Sequence, residues 1–144
     1  MYLTFNLLLN YYVLFGNFAP TFQMEKPIND YYSLSIEIEG IIIKKGTLYL
    51  AIYSTEDSFM KDPYQKMKFT SNKFPGLLTI LNLPRGEYAV TIFQDLNENG
   101  KLDKFFSVPI EPYGISNNVN VYPDFENAKI KLSKNESIKI NIKN

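Results

Sequence analysis

The sequence contains no cysteine and no histidine. Their absence excludes a Cys or His nucleophile, a Ser-His-Asp triad and zinc sites built from the usual ligands. Haem ligation of the usual kinds and iron–sulfur clusters are excluded for the same reason. Disulfides cannot form, so cysteine usage does not report the redox compartment. These absences remove much of the chemistry that small enzymes use.

Tryptophan is also absent, so a core must be built from Tyr, Phe, Ile and Leu. Neither sign of charge is in excess, because 15 basic residues stand against 15 acidic ones. Nucleic acids and anionic membrane surfaces attract proteins with a basic excess, so we expect no nucleic-acid partner. The 144 residues, 45% of them apolar, suit one globular domain with a real core.

Charged side chains are missing from the first 24 residues. The apolar run at residues 7–15 has about the length of a signal-peptide core and is too short for a membrane span. No Lys or Arg precedes it, and Pro20 directly after Ala19 is unfavourable next to a cleavage site. We interpret residues 1–24 as a predicted signal peptide or N-terminal apolar segment; a membrane anchor and a buried structural segment are the alternatives.

This interpretation predicts a secreted, periplasmic or cell-surface protein, with membrane contact only through the N-terminal segment if it is not cleaved. Residues 25–31 are polar, contain Pro27, and are predicted to be a linker. Residues 32–144 are predicted to form the folded domain.

Short alternating segments dominate that domain. Leu34, Ile36 and Ile38 alternate with polar residues, which predicts a half-buried strand. A second strand, Thr47–Tyr53, follows a short Gly-containing turn, so the two are expected to pair as an antiparallel hairpin. Residues 55–73 are predicted to be a crossover loop whose Phe59 plugs the end of the core.

The remaining strands are predicted at 77–83, 88–93, 128–132 and 137–143. Residues 105–126 lack a period and are expected to form a long loop, packed against the sheet edge by its aromatic side chains and Ile115. No long amphipathic helix is apparent. The pattern predicts an all-β fold: an antiparallel Greek-key β-sandwich of about seven strands, prealbumin-like or immunoglobulin-like, with one long loop.

An acidic loop follows the strand at 88–93. Oxygen-bearing side chains alternate in Asp95, Asn97 and Asn99, a glycine comes next, and a second carboxylate, Asp103, ends the run. Alternate residues of a tight loop can point inward together, which suits a hard cation such as calcium. Lys101 would add its backbone carbonyl, and Glu111 or Asp124 would add a carboxylate if the long loop folds back. The predicted calcium ligands are Asp95, Asn97, Asn99, Lys101, Asp103 and Glu111.

The loop begins like an EF-hand and then departs from it. The twelfth position is Phe106, where an EF-hand has a bidentate glutamate, and a strand rather than a helix precedes Asp95. We therefore expect weak binding, of about 10⁻⁴–10⁻³ M, as in extracellular modules. The alternative is a metal-free turn in which Asp95, Asn97 and Asn99 bond neighbouring backbone amides.

Four motifs follow one another along the chain: Leu83–Val90, Asp95–Asp103, Pro109–Asn118 and Pro123–Ala128. In this order and spacing they resemble an exported bacterial family, domain of unknown function twenty-one forty-one, and the resemblance covers roughly residues 34–142. It implies a single exported β-sandwich domain with no known activity. The sequence departs from the family at Gln94, where a histidine is common, and at Ser107, where a glycine is common. The change at Gln94 makes a transition-metal site less expected.

Three functions are compatible with this sequence. The first is a non-catalytic exported module, stabilised by calcium, that binds an unknown protein or glycan at the cell surface. The second is a small hydrolase in which Asp95, Asp103 and Glu111 act as paired carboxylates. The third is a metal-free subunit of a surface assembly. We expect the first, and no enzyme activity.

Overall fold

Alternation of apolar and polar residues produces most of the strands in this protein. The computed structural model describes residues 30–42, 45–119 and 122–143. The predicted signal peptide and almost all of the predicted linker lie outside these ranges. Within them, ten strands form: β1 (Tyr31–Glu39), β2 (Thr47–Tyr53), β3 (Gln65–Thr70), β4 (Leu77–Pro84), β5 (Gly86–Asp95), β6 (Lys104–Phe105), β7 (Val108–Pro109), β8 (Tyr113–Ile115), β9 (Ile130–Leu132) and β10 (Glu136–Asn141). The helical elements of the same ranges are a 3₁₀ turn, Ser116–Asn118, and one short helix, α1 (Phe125–Ala128).

The strands make two main sheets. The first has the order β10-β1-β4, and the second has the order β3-β2-β5-β8, with β9 pairing with the beginning of β5. A small hairpin, β6-β7, stands apart from both. All pairings are antiparallel among the described strands except the parallel pair β1 and β10. The predicted all-β sandwich is confirmed, with more strands than expected and one parallel pair.

The main core fills the space between the two sheets. It consists of the inward side chains of both, and β2 supplies Leu48, Leu50 and Ile52, each almost wholly buried. Burying such side chains is the main favourable term in folding, at about 25 cal/mol per Å² of apolar surface. The buried members are Leu34, Ile36, Ile38, Leu48, Leu50, Ile52, Ile80, Leu83, Tyr88, Val90, Ile92, Leu132, Ile140 and Ile142.

A second, smaller cluster lies on the outer face of the second sheet. Phe59 belongs to it and packs edge-on against Tyr53 and Phe125, with ring centroids 5.3 and 6.1 Å away. The prediction that Phe59 is buried is confirmed. Its partners show that it covers the outside of a sheet rather than the end of the main core.

The predicted hairpin of β1 and β2 is wrong. β1 pairs with β4 and β10, whereas β2 pairs with β3 and β5. The connection crosses from one sheet to the other, and Gly40 and Gly46 enable it with φ of +83° and +65°. A Gly-containing link between two alternating strands has the same sequence pattern in a hairpin and in a sheet-to-sheet crossing.

The sequence pattern did not predict strand β3, which lies inside the segment 55–73 that was expected to be a loop. It pairs with β2 along its whole length at the edge of the second sheet. Only Met67 and Phe69 reach toward the core, while Lys66 and Lys68 face away. Two alternating apolar residues are too short a run to predict a strand from the sequence.

The expected packing of residues 105–126 is confirmed in part. Ile115 and Phe125 are buried, as expected. Phe105, Phe106 and Tyr122 are not: Phe106 is 90% exposed and Tyr122 is 89% exposed. Phe105 and Phe106 belong to the β6-β7 hairpin, which is hydrogen-bonded to neither sheet, and their rings pack edge-on against each other with centroids 4.8 Å apart.

The turn before β5 is fixed by a tyrosine. The Tyr88 hydroxyl donates a hydrogen bond to the Pro84 carbonyl at 2.8 Å, back across the turn at Gly86. Burial, and to a lesser degree the neighbouring Tyr64, raises the pKa of Tyr88 above its ordinary value of 10.0. From this turn β5 runs without interruption to Asp95 and so sets where the acidic loop begins.

Candidate functional site

Asp95 is the buried anchor of the acidic loop. It is the last residue of β5 and is 0% exposed. Its Oδ1 accepts a hydrogen bond from the Asn99 N–H at 3.2 Å, and its Oδ2 accepts one from the Gly100 N–H at 2.7 Å. The backbone of the loop therefore wraps around this carboxylate. Gly100 permits the turn because it has a φ of +79°.

The two asparagines continue this pattern along the loop. Asn97 Oδ1 accepts a hydrogen bond from the Asn99 N–H at 3.1 Å, and Asn99 Oδ1 accepts one from the Lys101 N–H at 2.9 Å. Each is a turn of the Asx type, as the metal-free alternative predicts. A carbonyl or carboxylate oxygen has two lone pairs, so each of these oxygens keeps acceptor capacity after bonding one N–H.

Asp103 closes the loop through side chains. Its Oδ2 accepts from Asn97 Nδ2 at 2.6 Å, and both of its oxygens accept from Asn99 Nδ2 at 3.0 Å. The two amide groups thus turn their oxygens to the backbone and their N–H₂ groups to this carboxylate. Three of the predicted ligands, Asn97, Asn99 and Asp103, are therefore in contact.

Glu111 lies back against the acidic loop, which is the condition on which its place among the predicted ligands depended. It is 5% exposed, and its Oε1 accepts from the Leu96 N–H at 2.8 Å while its Oε2 accepts from the Asp103 N–H at 3.0 Å. One carboxylate therefore ties the beginning of the loop to its end. All six predicted site residues belong to one hydrogen-bonded network, in which Lys101 takes part through its backbone N–H.

Two residues at the base of the loop were not predicted as site residues. Gly46 lies so close that a Cβ added to it would be 1.9 Å from the Asp95 carbonyl oxygen. Gln94 is fully buried, donates to the carbonyls of Ile42 and Lys45 at 2.7 and 2.5 Å, and accepts from the Ile42 N–H at 2.9 Å. A glutamine at an inward position of β5 was the available signal for this contact.

The oxygen-only donors of this loop suit a hard cation by their chemistry. They do not form a ready-made carboxylate cluster: no group of three or more His, Cys, Asp or Glu side chains in the described ranges lies close enough to hold a metal ion. Asp95 and Glu111 already hold backbone N–H groups, and Asp103 faces two amide N–H₂ groups. A cation would have to draw on the free lone pairs of Asp95, Asn97 and Asn99 and displace amide contacts at Asp103.

An EF-hand is ruled out by the elements on either side. Strand β5 leads into the loop and strand β6 leaves it, where an EF-hand would have two helices. The twelfth residue, Phe106, is apolar and exposed, so it supplies no bidentate carboxylate. Both departures expected from the sequence are confirmed.

Comparison with known protein families shows which family this chain belongs to. The profile of a family described as "Uncharacterized protein conserved in bacteria" (DUF2141) matches residues 36–141, well over half of the chain. The chain belongs to this family. Searches of curated proteins and of solved structures each found no match. The predicted family of this DUF2141 protein is therefore confirmed.

The family description carries no activity, so the function of this DUF2141 protein has to be inferred from its own residues. In the described part of the DUF2141 chain, no helix is long and apolar enough to cross a bilayer.

Proposed function

We propose that this protein is a non-catalytic binding or structural module of the cell envelope and that its Asp95–Asp103 loop takes up calcium with weak affinity. The observation that supports this is the run of backbone hydrogen bonds accepted by Asp95, Asn97 and Asn99. These bonds shape the loop before any ion arrives and leave a lone pair on each accepting oxygen. Export is supported by the charge-free residues 1–24.

The mechanism is thermodynamic linkage. An ion that binds only the folded loop stabilises the domain by RT ln(1 + [L]/Kd), so the stabilisation grows with calcium concentration. Extracellular fluids supply calcium at levels that suit a Kd of about 10⁻⁴–10⁻³ M. The ion would fix the rim of the sandwich, including the segment that leads to β6.

A hydrolase is the less supported alternative. Its candidate groups would be Asp95, Asp103 and Glu111, yet two of these carboxylates are buried and bonded to backbone N–H groups. Carboxylates held in this way support the loop conformation, which makes them weaker candidates for contact with a substrate. No histidine or cysteine is present to take their place.

The calcium proposal is tested by titration of the chelator-treated protein. We expect the thermal midpoint to rise with calcium in the millimolar range and calorimetry to give a saturable isotherm. Asp103→Ala should abolish both responses, and it should cost little stability in chelator because its side-chain bonds are solvent-accessible. Asp57→Ala, a change at an exposed loop carboxylate outside the acidic loop, is the matched control.

Two outcomes would contradict the calcium proposal. One is the absence of any heat and any thermal shift at several millimolar calcium. The other is an equal shift in wild type and in Asp103→Ala, which would show a general ionic effect. Sodium chloride at the same ionic strength separates that effect from binding.

A second candidate, the metal-free subunit of a surface assembly, is favoured by the β6-β7 hairpin. Phe105, Phe106, Val108 and Ile110 are each more than half exposed there. Clustered, exposed apolar side chains are typical of contact surfaces. Crosslinking on intact cells should yield a larger species that Phe106→Ser weakens. Leu81→Ser, an exposed apolar residue on β4, should leave it unchanged.

A further inference from the structure

A groove crosses the outer face of the second sheet, next to the acidic loop. Its floor is formed by β2 and β5, whose outward residues alternate with the side chains of the main core. One wall is the segment around Met60 and Pro63, and the other runs from Gly100 to Lys104. The groove has a volume of about 420 Å³. This lies within the range of about 300–1,000 Å³ that small-molecule sites occupy.

The floor is aromatic. Tyr49 and Phe93 are directly opposite each other on β2 and β5, and their rings stack with centroids 5.1 Å apart and planes 10° apart. Tyr113 is opposite Phe93 on the next strand and extends this row. These rings are only half-buried, so their remaining surface is open to the groove. Aromatic surface of this kind can pack against the C–H face of a sugar ring.

The rim of the groove carries lysine side chains that are not paired with acidic residues of the described ranges. Lys61, Lys66 and Lys104 line the groove, and among the described residues no aspartate or glutamate does. None of these three lysines forms an ion pair with another residue in the described ranges. Lys129 shows the contrast, because it is paired with Glu87 and Glu126 elsewhere on the surface. In a chain of zero net charge, three unpaired cations around one groove favour an anionic occupant.

The polar groups of the floor are side-chain hydroxyls. Those of Tyr49, Thr91 and Tyr113 line the groove and make no hydrogen bond with another described residue. The backbone is not available, since β2 is paired with β3 and β5 on its two sides, and β5 with β2 and β8. An extended peptide, which binds through backbone hydrogen bonds at a sheet edge, is therefore a poor fit for this face.

We propose that this groove binds an acidic carbohydrate. The sugar ring packs on Phe93 and Tyr49, its hydroxyls bond the free side-chain hydroxyls, and its carboxylate meets the lysines of the rim. The proposal does not depend on a metal ion in the acidic loop. The two sites are nonetheless adjacent, because a Cβ added to Gly100 would lie 3.9 Å from the Tyr49 hydroxyl oxygen.

The test is calorimetric titration of the full chain, in chelator, with a glucuronic-acid oligomer. A glucose oligomer of the same length and a glutamate-containing peptide of the same charge are titrated in parallel. We expect saturable binding of the acidic sugar alone. Lys66→Ala should weaken it about fivefold, as for the loss of one exposed ion pair. Phe93→Ala should weaken it about tenfold through lost ring contact.

Lys131→Ala, a change at an exposed lysine of β9 away from the groove, should leave binding unchanged. Phe93→Leu keeps apolar volume in case Phe93→Ala fails to fold, and it should also weaken binding because it lacks a ring face. The proposal is overturned if the acidic sugar does not bind, or if the glucose oligomer binds equally well. Preferential binding of the peptide, or binding unaffected by both groove variants, would overturn it too.

Discussion

Glu111 holds Asp103 in place, because its Oε2 accepts the hydrogen bond of the Asp103 backbone N–H at 3.0 Å. The other oxygen of the same carboxylate accepts the N–H of Leu96 at 2.8 Å. A side chain from the segment before β8 thus closes an acidic loop that begins 16 residues earlier, at Asp95 (111 − 95 = 16). This one carboxylate therefore fixes the beginning of the acidic loop relative to its end.

Replacing this carboxylate should destabilise the fold. Glu111→Ala leaves two partly buried backbone N–H groups without their acceptor, which should cost about 2–4 kcal/mol of the free energy of unfolding. Glu111→Gln should cost less, since the amide oxygen can still accept one of the two bonds. Urea unfolding in chelator measures both changes. Glu56→Gln, at an exposed position, is the control, and it should stay within about 0.5 kcal/mol of wild type. A loss at Glu111 no larger than this control would refute the role given to it.

Gly46 should be far more sensitive to a methyl group than Gly76. Both have positive φ, +65° and +82°, so alanine is strained at either place. A Cβ at Gly76 meets nothing within 4 Å, whereas at Gly46 it would be 1.9 Å from the Asp95 carbonyl oxygen. Gly76→Ala should therefore cost about 1–2 kcal/mol. Gly46→Ala should cost more than about 3 kcal/mol and should also disturb the acidic loop. Equal midpoints of thermal unfolding for the two variants would show that this close approach does not matter.

Tyr88 should make the protein less stable at high pH. Because the pKa of Tyr88 is raised in the fold, the unfolded chain releases this proton first, starting near the ordinary value of 10.0. Its contribution is fully present below that value and is lost as pH rises toward the raised folded pKa. Lys129 and Lys139 also have raised pKa values, from hydrogen bonds to glutamates, and act in the same direction.

Tyr88→Phe isolates the tyrosine from those lysines, which it leaves in place. The variant should lose about 0.5–1.5 kcal/mol near neutral pH with the bond to the Pro84 carbonyl. Above pH 10.0 the difference in free energy of unfolding between wild type and variant should shrink, because only wild type has the Tyr88 hydroxyl that titrates there. Urea unfolding across this pH range measures the difference, and ultraviolet absorption of tyrosinate follows the titration. A constant difference at all pH values would contradict the assignment.

Much of the architecture was predictable because it depends on local pattern. Leu34, Ile36 and Ile38 are inward as their alternation predicts, and β2 has the bounds expected for it. The position of the acidic loop at the end of β5 was predicted from the same alternation. Pairing was less predictable, since β1 and β2 have the pattern of a hairpin but belong to different sheets.

The groove was not predictable, because its parts come from distant segments. Tyr49, Lys66, Phe93 and Lys104 lie on different strands and share no sequence pattern. The exposure of Phe106 was not predictable for a related reason: it depends on which other segments lie near the β6-β7 hairpin in the folded chain.

The sequence by itself determined the all-β class, the membership in the family and the oxygen-rich character of the acidic loop, because each depends on residue type and spacing along the chain. Only the tertiary structure decided which strands pair, that Glu111 closes the loop, and that aromatic and basic side chains meet on one sheet face. Those outcomes depend on which distant segments the packing of two sheets brings together, and alternation is the same whichever partner a strand takes.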